Sequence, residues 1–193
     1  MEKLTLGLAI CGSFCTHAVI KDVLPTLTAR YHVIPIFSES VQNTDTRFGK
    51  ANDFCRDIEA ICQNPAIRTV VFAETIGPKK LFDVLAIAPC TGNTLAKLAH
   101  GIIDATVPMA AKAHLRNERP LVIALASNDA LAQGLSNLAA LTVRKHCYFV
   151  PLGQDDPIRK PTSLVADFTL LPNTVEKALE EKQLQPMLIA HGR

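Results

Sequence analysis

Residues 83–111 read DVLAIAPCTGNTLAKLAHGIIDATVPMAA. The stretch opens as a run of apolar residues, breaks at Pro89, and turns helical after Gly92. The run before the break is apolar at every position, as in a strand covered on both faces. The break itself, Pro89-Cys90-Thr91-Gly92-Asn93-Thr94, is small, polar and rich in hydrogen-bonding groups. Leu95, Leu98, Ala99, Ile102 and Ile103 then recur at helical spacing. A buried strand, a polar turn and a buried helix in succession form half of a βαβ unit.

The pattern repeats outward in both directions. Upstream, Leu4–Cys11 predicts a first strand, residues 15–30 a helix bent or ended near Pro25, and Tyr31–Phe37 a second strand. Residues 38–49 are polar and loop-like, and residues 50–63 form a helix with Phe54, Ile58, Ile61 and Cys62 on one face. Thr69–Ala73, TVVFA, predicts a short strand, followed by Val84–Ala88. Downstream come a strand at Leu121–Ala126, a helix over 128–145 with Leu131, Leu135 and Leu138 inward, and a strand at Cys147–Leu152. A charged loop at 153–161 and a helix over 174–182 complete the chain. Alternating strands and helices predict α/β: one doubly wound, Rossmann-like three-layer domain over 1–193, with a mainly parallel sheet of about six strands.

Composition narrows the function classes. Of 193 residues, 48% are apolar and 20% charged, which indicates a folded globule. A formal net charge of +2, no Trp and two Tyr argue against a nucleic-acid partner. No apolar run reaches membrane-spanning length, and the start of the chain is broken too early at Gly12 to read as a secretion signal. The six cysteines, Cys11, Cys15, Cys55, Cys62, Cys90 and Cys147, make no Cys-x-x-Cys pair and no zinc spacing with histidine. A cytoplasmic, reduced protein without a metal site is expected.

In open parallel sheets ligands bind beyond the carboxyl ends of the strands, where strand order reverses. Two loops then meet: residues 12–16 after the first strand and 89–94 after the strand of the opening stretch. Each leads into a helix N-terminus, whose free N–H groups and partial positive charge suit an anion. Gly12 permits close backbone approach, Ser13 offers a hydroxyl, and Ser38 ends the second strand on the same edge. Simple helix capping by Asn93 or Thr94 is the competing explanation. Neither the dinucleotide fingerprint nor a P-loop is present. Asn128 and Asp129 follow another strand end, and Asp129 reads either as a proton acceptor or as a first-turn helix carboxylate. Lys79, Lys80, Arg159 and Lys160 are candidate partners for substrate carboxylates, although exposed charges are mostly just solvated.

The run Ala88–Asp104, APCTGNTLAKLAHGIID, resembles the APATANTLAKLAxGIAD signature of the flavoproteins related to homo-oligomeric FMN-containing cysteine decarboxylases and flavin prenyltransferases. Residues 123–128, IALASN, resemble that family's APAMN segment. Longer runs, including ASNDALAQGLSNL and YFVPLGQDDPIRKPTSLVAD, resemble the B chains of dipicolinate synthase over nearly the whole length. The resemblance implies FMN held by Gly12, Ser13, Phe14, Ser38, Pro89, Cys90, Thr91, Asn93, Thr94 and Ser127, with Ser127 and Asn128 over the ring or its substrate. It implies a homo-oligomer, a dipicolinate synthase A chain as partner carrying NADP, and a dicarboxylate substrate converted to pyridine-2,6-dicarboxylate during sporulation. Two departures stand out. Residues 74–80 lack the decarboxylases' histidine, and Leu125 and Ser127 replace the Pro and Met of APAMN. Decarboxylation, a prenyltransferase-like activity and a non-catalytic regulatory role are the alternatives.

Overall fold

A computed structural model describes residues 3–189. Its core is a parallel sheet: β1 (Thr5–Ile10), β2 (His32–Phe37), β3 (Val84–Cys90), β4 (Leu121–Ser127) and β5 (Cys147–Phe149). β1 pairs with β2 on one side and β3 on the other; β4 follows β3, and β5 lies beside the start of β4. The strand order β2-β1-β3-β4-β5 reverses direction between β1 and β3. All seven residues of β3 are buried, as the uninterrupted apolar run predicts for a sheet covered on both faces.

Helices α1 (His17–Arg30), α2 (Glu39–Asn43) and α3 (Ala51–Cys62) surround the β1–β2 half. α1 runs through Pro25, so the helix neither ends nor restarts there. Short helices α4 (Val70–Glu74) and α5 (Ile76–Lys79) precede β3, and α6 (Gly92–His100) and α7 (Thr106–Leu115) follow it. After β4 come α8 (Leu135–Thr142), β5, β6 (Leu152–Gly153), β7 (Leu164–Ala166) and α9 (Leu171–Leu179). The buried apolar residues form one cluster running from Leu6 to Ala178. The α/β class and the mainly parallel sheet agree with the sequence pattern.

Several local expectations are corrected. Thr69–Ala73 is not a strand. Thr69 caps α4 by accepting from the Phe72 N–H at 3.3 Å, and α4 packs against α7. β-branched content suggested an extended segment, but a hydroxyl three residues before a free N–H closed a helical turn. The helix over 128–145 shrinks to α8, because residues 129–134 form turns tied by Ala132 and Gly134 N–H groups donating to the Asp129 carbonyl. Leu131 and Leu135 are consequently exposed, and only Leu138 of the three is buried. α6 stops at Gly101, whose φ of 69° is left-handed, so Ile102 and Ile103 lie beyond the helix and Ile102 is exposed. The strand over 147–152 divides at Val150–Pro151, and β6 turns to pair antiparallel with β7, itself paired antiparallel to the end of β4. Among the described residues the sheet therefore has seven strands.

α4 supplies a test of that correction. In a strand, Val71 and Ala73 would share a face; in the helix Val71 is 72% exposed and Ala73 fully buried. Val71→Thr should change stability by less than about 0.5 kcal/mol and Ala73→Leu should cost about 1–3 kcal/mol, read from urea midpoints.

His114, on the buried face of α7, gives a pH signature. Burial holds its pKa at about 4, against the favourable hydrogen bond from Nε2 to the Pro120 carbonyl at 2.9 Å. The unfolded chain takes up that proton near pH 6.5, so stability is intact above this value and drains away as pH falls toward 4. The loss should reach roughly 3 kcal/mol. His114→Gln should shrink the slope without abolishing it, because burial also lowers the pKa of His17.

Candidate functional site

The two loops singled out in the sequence meet at the β1–β3 reversal. The Cys11 N–H donates to the Pro89 carbonyl at 3.1 Å, continuing the β1–β3 ladder one residue past the end of β1. A chain of side chains stitches the same junction. The Thr94 N–H donates to Thr91 Oγ1 at 3.2 Å, Thr91 Oγ1 to Thr94 Oγ1 at 3.1 Å, and Thr94 Oγ1 to Cys11 Sγ at 3.4 Å. Thr91, rather than Asn93 or Thr94, is therefore the N-cap of α6.

A cavity of about 350 Å³ opens above this junction. Gly12, Ser38, Thr91, Asn93 and Thr94 line it, as the sequence suggested. A Cβ on Gly12 would stand 2.8 Å from Ser40 Oγ, so a larger residue must displace the Ser40 hydroxyl on the cavity wall. Ser38 caps α2 and lies 3.0 Å, oxygen to oxygen, from Ser40. The Gly92 and Asn93 N–H groups open α6 and have no acceptor within their own helix.

Other assigned residues sit elsewhere. Pro89 and Cys90 are buried at the end of β3 and do not line the cavity, and the Pro89 carbonyl is occupied by the Cys11 N–H. Phe14 turns away to a small hollow beside His17 and Phe54, its ring 5.2 Å from that of His17. Ser13 is half-buried beside Gly12, its carbonyl accepting from the Thr16 N–H and Oγ1. Ser127, Asn128 and Asp129 lie across Gly92 from the cavity: a Cβ on Gly92 would fall 2.6 Å from Ser127 Oγ and 3.1 Å from Asp129 Oδ1. The Ser127 hydroxyl donates to Asp129 Oδ1. The Asp129 side chain does not cap α8, which begins six residues later. Asn128 is exposed and its carbonyl accepts from Thr162 Oγ1 at 2.7 Å, pinning the 154–163 loop there.

Of the proposed carboxylate partners, Lys160 is committed to Asp155 at 2.7 Å, and Arg159 is extended and exposed. Lys79 and Lys80 end α5, before β3 begins, on the opposite edge of the sheet. A larger groove of about 430 Å³ also lies at that amino-terminal edge, lined by Tyr31, His32 and Asn64, and gathers no strand-end loops.

Glu39, Lys97 and Asp104 on the cavity wall, and His17 beneath Cys11, were not singled out from the sequence. Glu39 accepts through one carboxylate oxygen from the Thr106 N–H at 2.9 Å and Thr106 Oγ1 at 2.7 Å, capping α7 from 67 residues away. Lys97 pairs with Asp104 at 2.7 Å on the cavity wall. His17 Nε2 donates to the Cys11 carbonyl at 2.9 Å while its ring stacks on Phe54 at 4.2 Å. Carbonyls accept only, so Nε2 carries the proton. Hints lay in the Lys97–Asp104 spacing and in the amphipathic face that brings Phe54 inward; the Glu39–Thr106 contact had none.

The open amino end of α6 suits an anion, and the serine and threonine hydroxyls on the wall suit a ligand bearing hydroxyls. Both carboxylates on its wall are already engaged, by Thr106 and Lys97, while the α6 terminus stays open. Burial pushes the Cys11 thiol up to about 11 and the Cys90 thiol well above its usual value. Neither is a thiolate near neutrality, so neither is a nucleophile there. Among the described residues no group of three or more His, Cys, Asp or Glu could hold a metal, and no helix is long and apolar enough to cross a membrane.

A 2-1-3-4-5 parallel sheet with a glycine cradle and a helix N-terminus at its β1–β3 reversal is a doubly wound, mononucleotide-binding architecture. The chain belongs to the Flavoprotein family, whose family model matches residues 1–167. It is 43% identical over 185 residues to the B subunit of dipicolinate synthase from Bacillus subtilis (strain 168), covering 95% of this chain and 92% of that one. The crystal structure of the B subunit of dipicolinate synthase from Bacillus halodurans C superposes with a TM-score of 0.90 at 39% identity, covering 98% of both chains. The FMN-dependent cysteine decarboxylase SpaF shares the fold at 23% identity and a TM-score of 0.67, over 93% of this chain and 98% of its own.

The long-range cap can be tested directly. Glu39→Ala should destabilise the protein by about 0.5–2 kcal/mol, through loss of the acceptor for Thr106, and Glu39→Gln by less, measured in urea.

Proposed function

We propose that this chain is the FMN-binding component of an oxidoreductase that forms pyridine-2,6-dicarboxylate, working in the cytoplasm of sporulating cells with an A chain that binds NADP. The observation that carries this is the cradle at the β1–β3 reversal, kept in a chain similar along its length to the B subunit of a dipicolinate synthase. The residues present fit the cofactor. Gly12, Ser38 and the N–H groups opening α6 would hold the phosphate and ribityl chain, with Ser13 beside them. Thr91, Thr94 and the Asn93 side chain would border the ring, with Pro89 and Cys90, buried at the end of β3, supporting them through the backbone. When bound, FMN supplies a two-electron acceptor.

The substrate is a dihydropyridine dicarboxylate, or its hydroxylated precursor after loss of water. Its conversion to the aromatic ring releases one hydride and one proton. Asp129, oriented by Ser127 on the other side of Gly92, takes the proton from a substrate that lies over that glycine. The hydride acceptor is FMN on this chain or NADP on its partner, and the protein's contribution is alignment of donor with acceptor. The decarboxylase alternative is weakened by the segment 74–80, which has no histidine and forms α4's end and α5. Self-assembly of this chain is part of the same proposal.

Titration with FMN, followed by visible absorbance and thermal shift, should show binding. Gly12→Val, which pushes a side chain onto Ser40, should weaken it at least tenfold while the cofactor-free melting temperature stays within a few degrees. Dipicolinate formation should require both this chain and the A chain. Absence of FMN binding would remove the flavin role, and an A chain equally active alone would remove the catalytic one.

A further inference from the structure

Behind the Lys97–Asp104 pair lies a second pocket, of about 160 Å³. Lys97 and Pro108 belong to both walls, so the ion pair and the start of α7 separate it from the larger cavity. Its composition is one-sided. Lys97, Lys112 and Arg144 line it, and no carboxylate does. Its remaining surface comes mainly from apolar side chains, with Leu98, Ile103 and Leu115 among them. Among the described residues Lys112 and Arg144 make no ion pair, whereas Lys97 is neutralised by Asp104.

The carboxyl end of α6 does not absorb this charge. Its Lys97 and Leu98 carbonyls already accept from the Ile102 and Gly101 N–H groups, and Arg144 adds only a long contact of 3.5 Å to Leu98. Two cations over an apolar floor therefore face a hollow with room for about five waters' worth of volume. That is the size of a single ring rather than of a nucleotide. Arginine binds carboxylates through two parallel donors, and lysine adds a point charge.

We infer that this pocket binds a small, planar, ring-bearing carboxylate, with Arg144 and Lys112 on the carboxylate and the ring against Leu98, Ile103 and Leu115. The choice of a ring-bearing carboxylate rests on the proposed function, whereas the pocket does not depend on the flavin, since none of these three apolar residues or two cations lines the larger cavity.

Isothermal titration of the full chain with pyridine-2,6-dicarboxylate, with pyridine as the uncharged ring and inorganic phosphate as the ringless anion, tests it. Saturable binding of the dicarboxylate is expected, at least tenfold tighter than either control. Lys112→Gln, an exposed change that spares folding, should weaken it about fivefold, and Arg144→Gln about tenfold, with FMN titrations of Lys112→Gln unaltered. No binding, affinity untouched by Lys112→Gln, or phosphate binding as tightly as the dicarboxylate would each overturn the assignment. Loss of this pocket with FMN binding intact leaves the flavin proposal standing; the converse result separates them equally well.

Discussion

The architecture of the site depends on how the chain leaving β1 is held against the end of β3. Here the ladder is extended by one backbone hydrogen bond, from Cys11 to Pro89, and then by the threonine relay that ends on the Cys11 sulfur. His17 fixes the Cys11 carbonyl from the other side. The glycine at residue 12 and the open turn of α6 are consequently presented to one cavity. Without that closure the glycine and the helix end would be two unrelated local features.

The second theme is how the carboxylates on the cavity wall are engaged before a ligand arrives. Asp104 is neutralised by Lys97, whereas Glu39 is oriented by the N–H and hydroxyl of Thr106 at the amino end of α7 and keeps its charge, which still reaches the Cys11 thiol. The same arrangement gives α7 a cap that its own sequence, with Ala105 at the N-cap, does not provide. The neighbouring pocket shows the opposite condition, with two cations left without carboxylates.

Much of the fold was legible because burial on both faces leaves a plain mark. LAIA and VIALA can only be strands hidden between helices once polar turns bound them. The misses are equally physical. TVVFA has strand-like residues, but Thr69 could cap a helix and α7 offered a surface for one to pack on. α7 itself is buried nearly all round and carries Pro108 in its first turn, so it shows neither an amphipathic stripe nor an unbroken helical run. Residues 128–134 look helical by spacing, yet backbone turns centred on Asp129 win locally.

By itself the sequence determined the layered α/β class, the two glycine-bearing loops and the edge of the sheet on which they fall. Those follow from side-chain period and from glycine and proline chemistry, which act within a few residues. Which of the candidate residues face one cavity was decided only in three dimensions. Phe14 turned to the far side, Ser127 and Asp129 came to rest beyond Gly92, and Glu39 and Lys97 joined the wall. The reason is range: a carboxylate that caps a helix 67 residues away has no local correlate, and only the packing of the whole sheet brings the two within hydrogen-bonding distance.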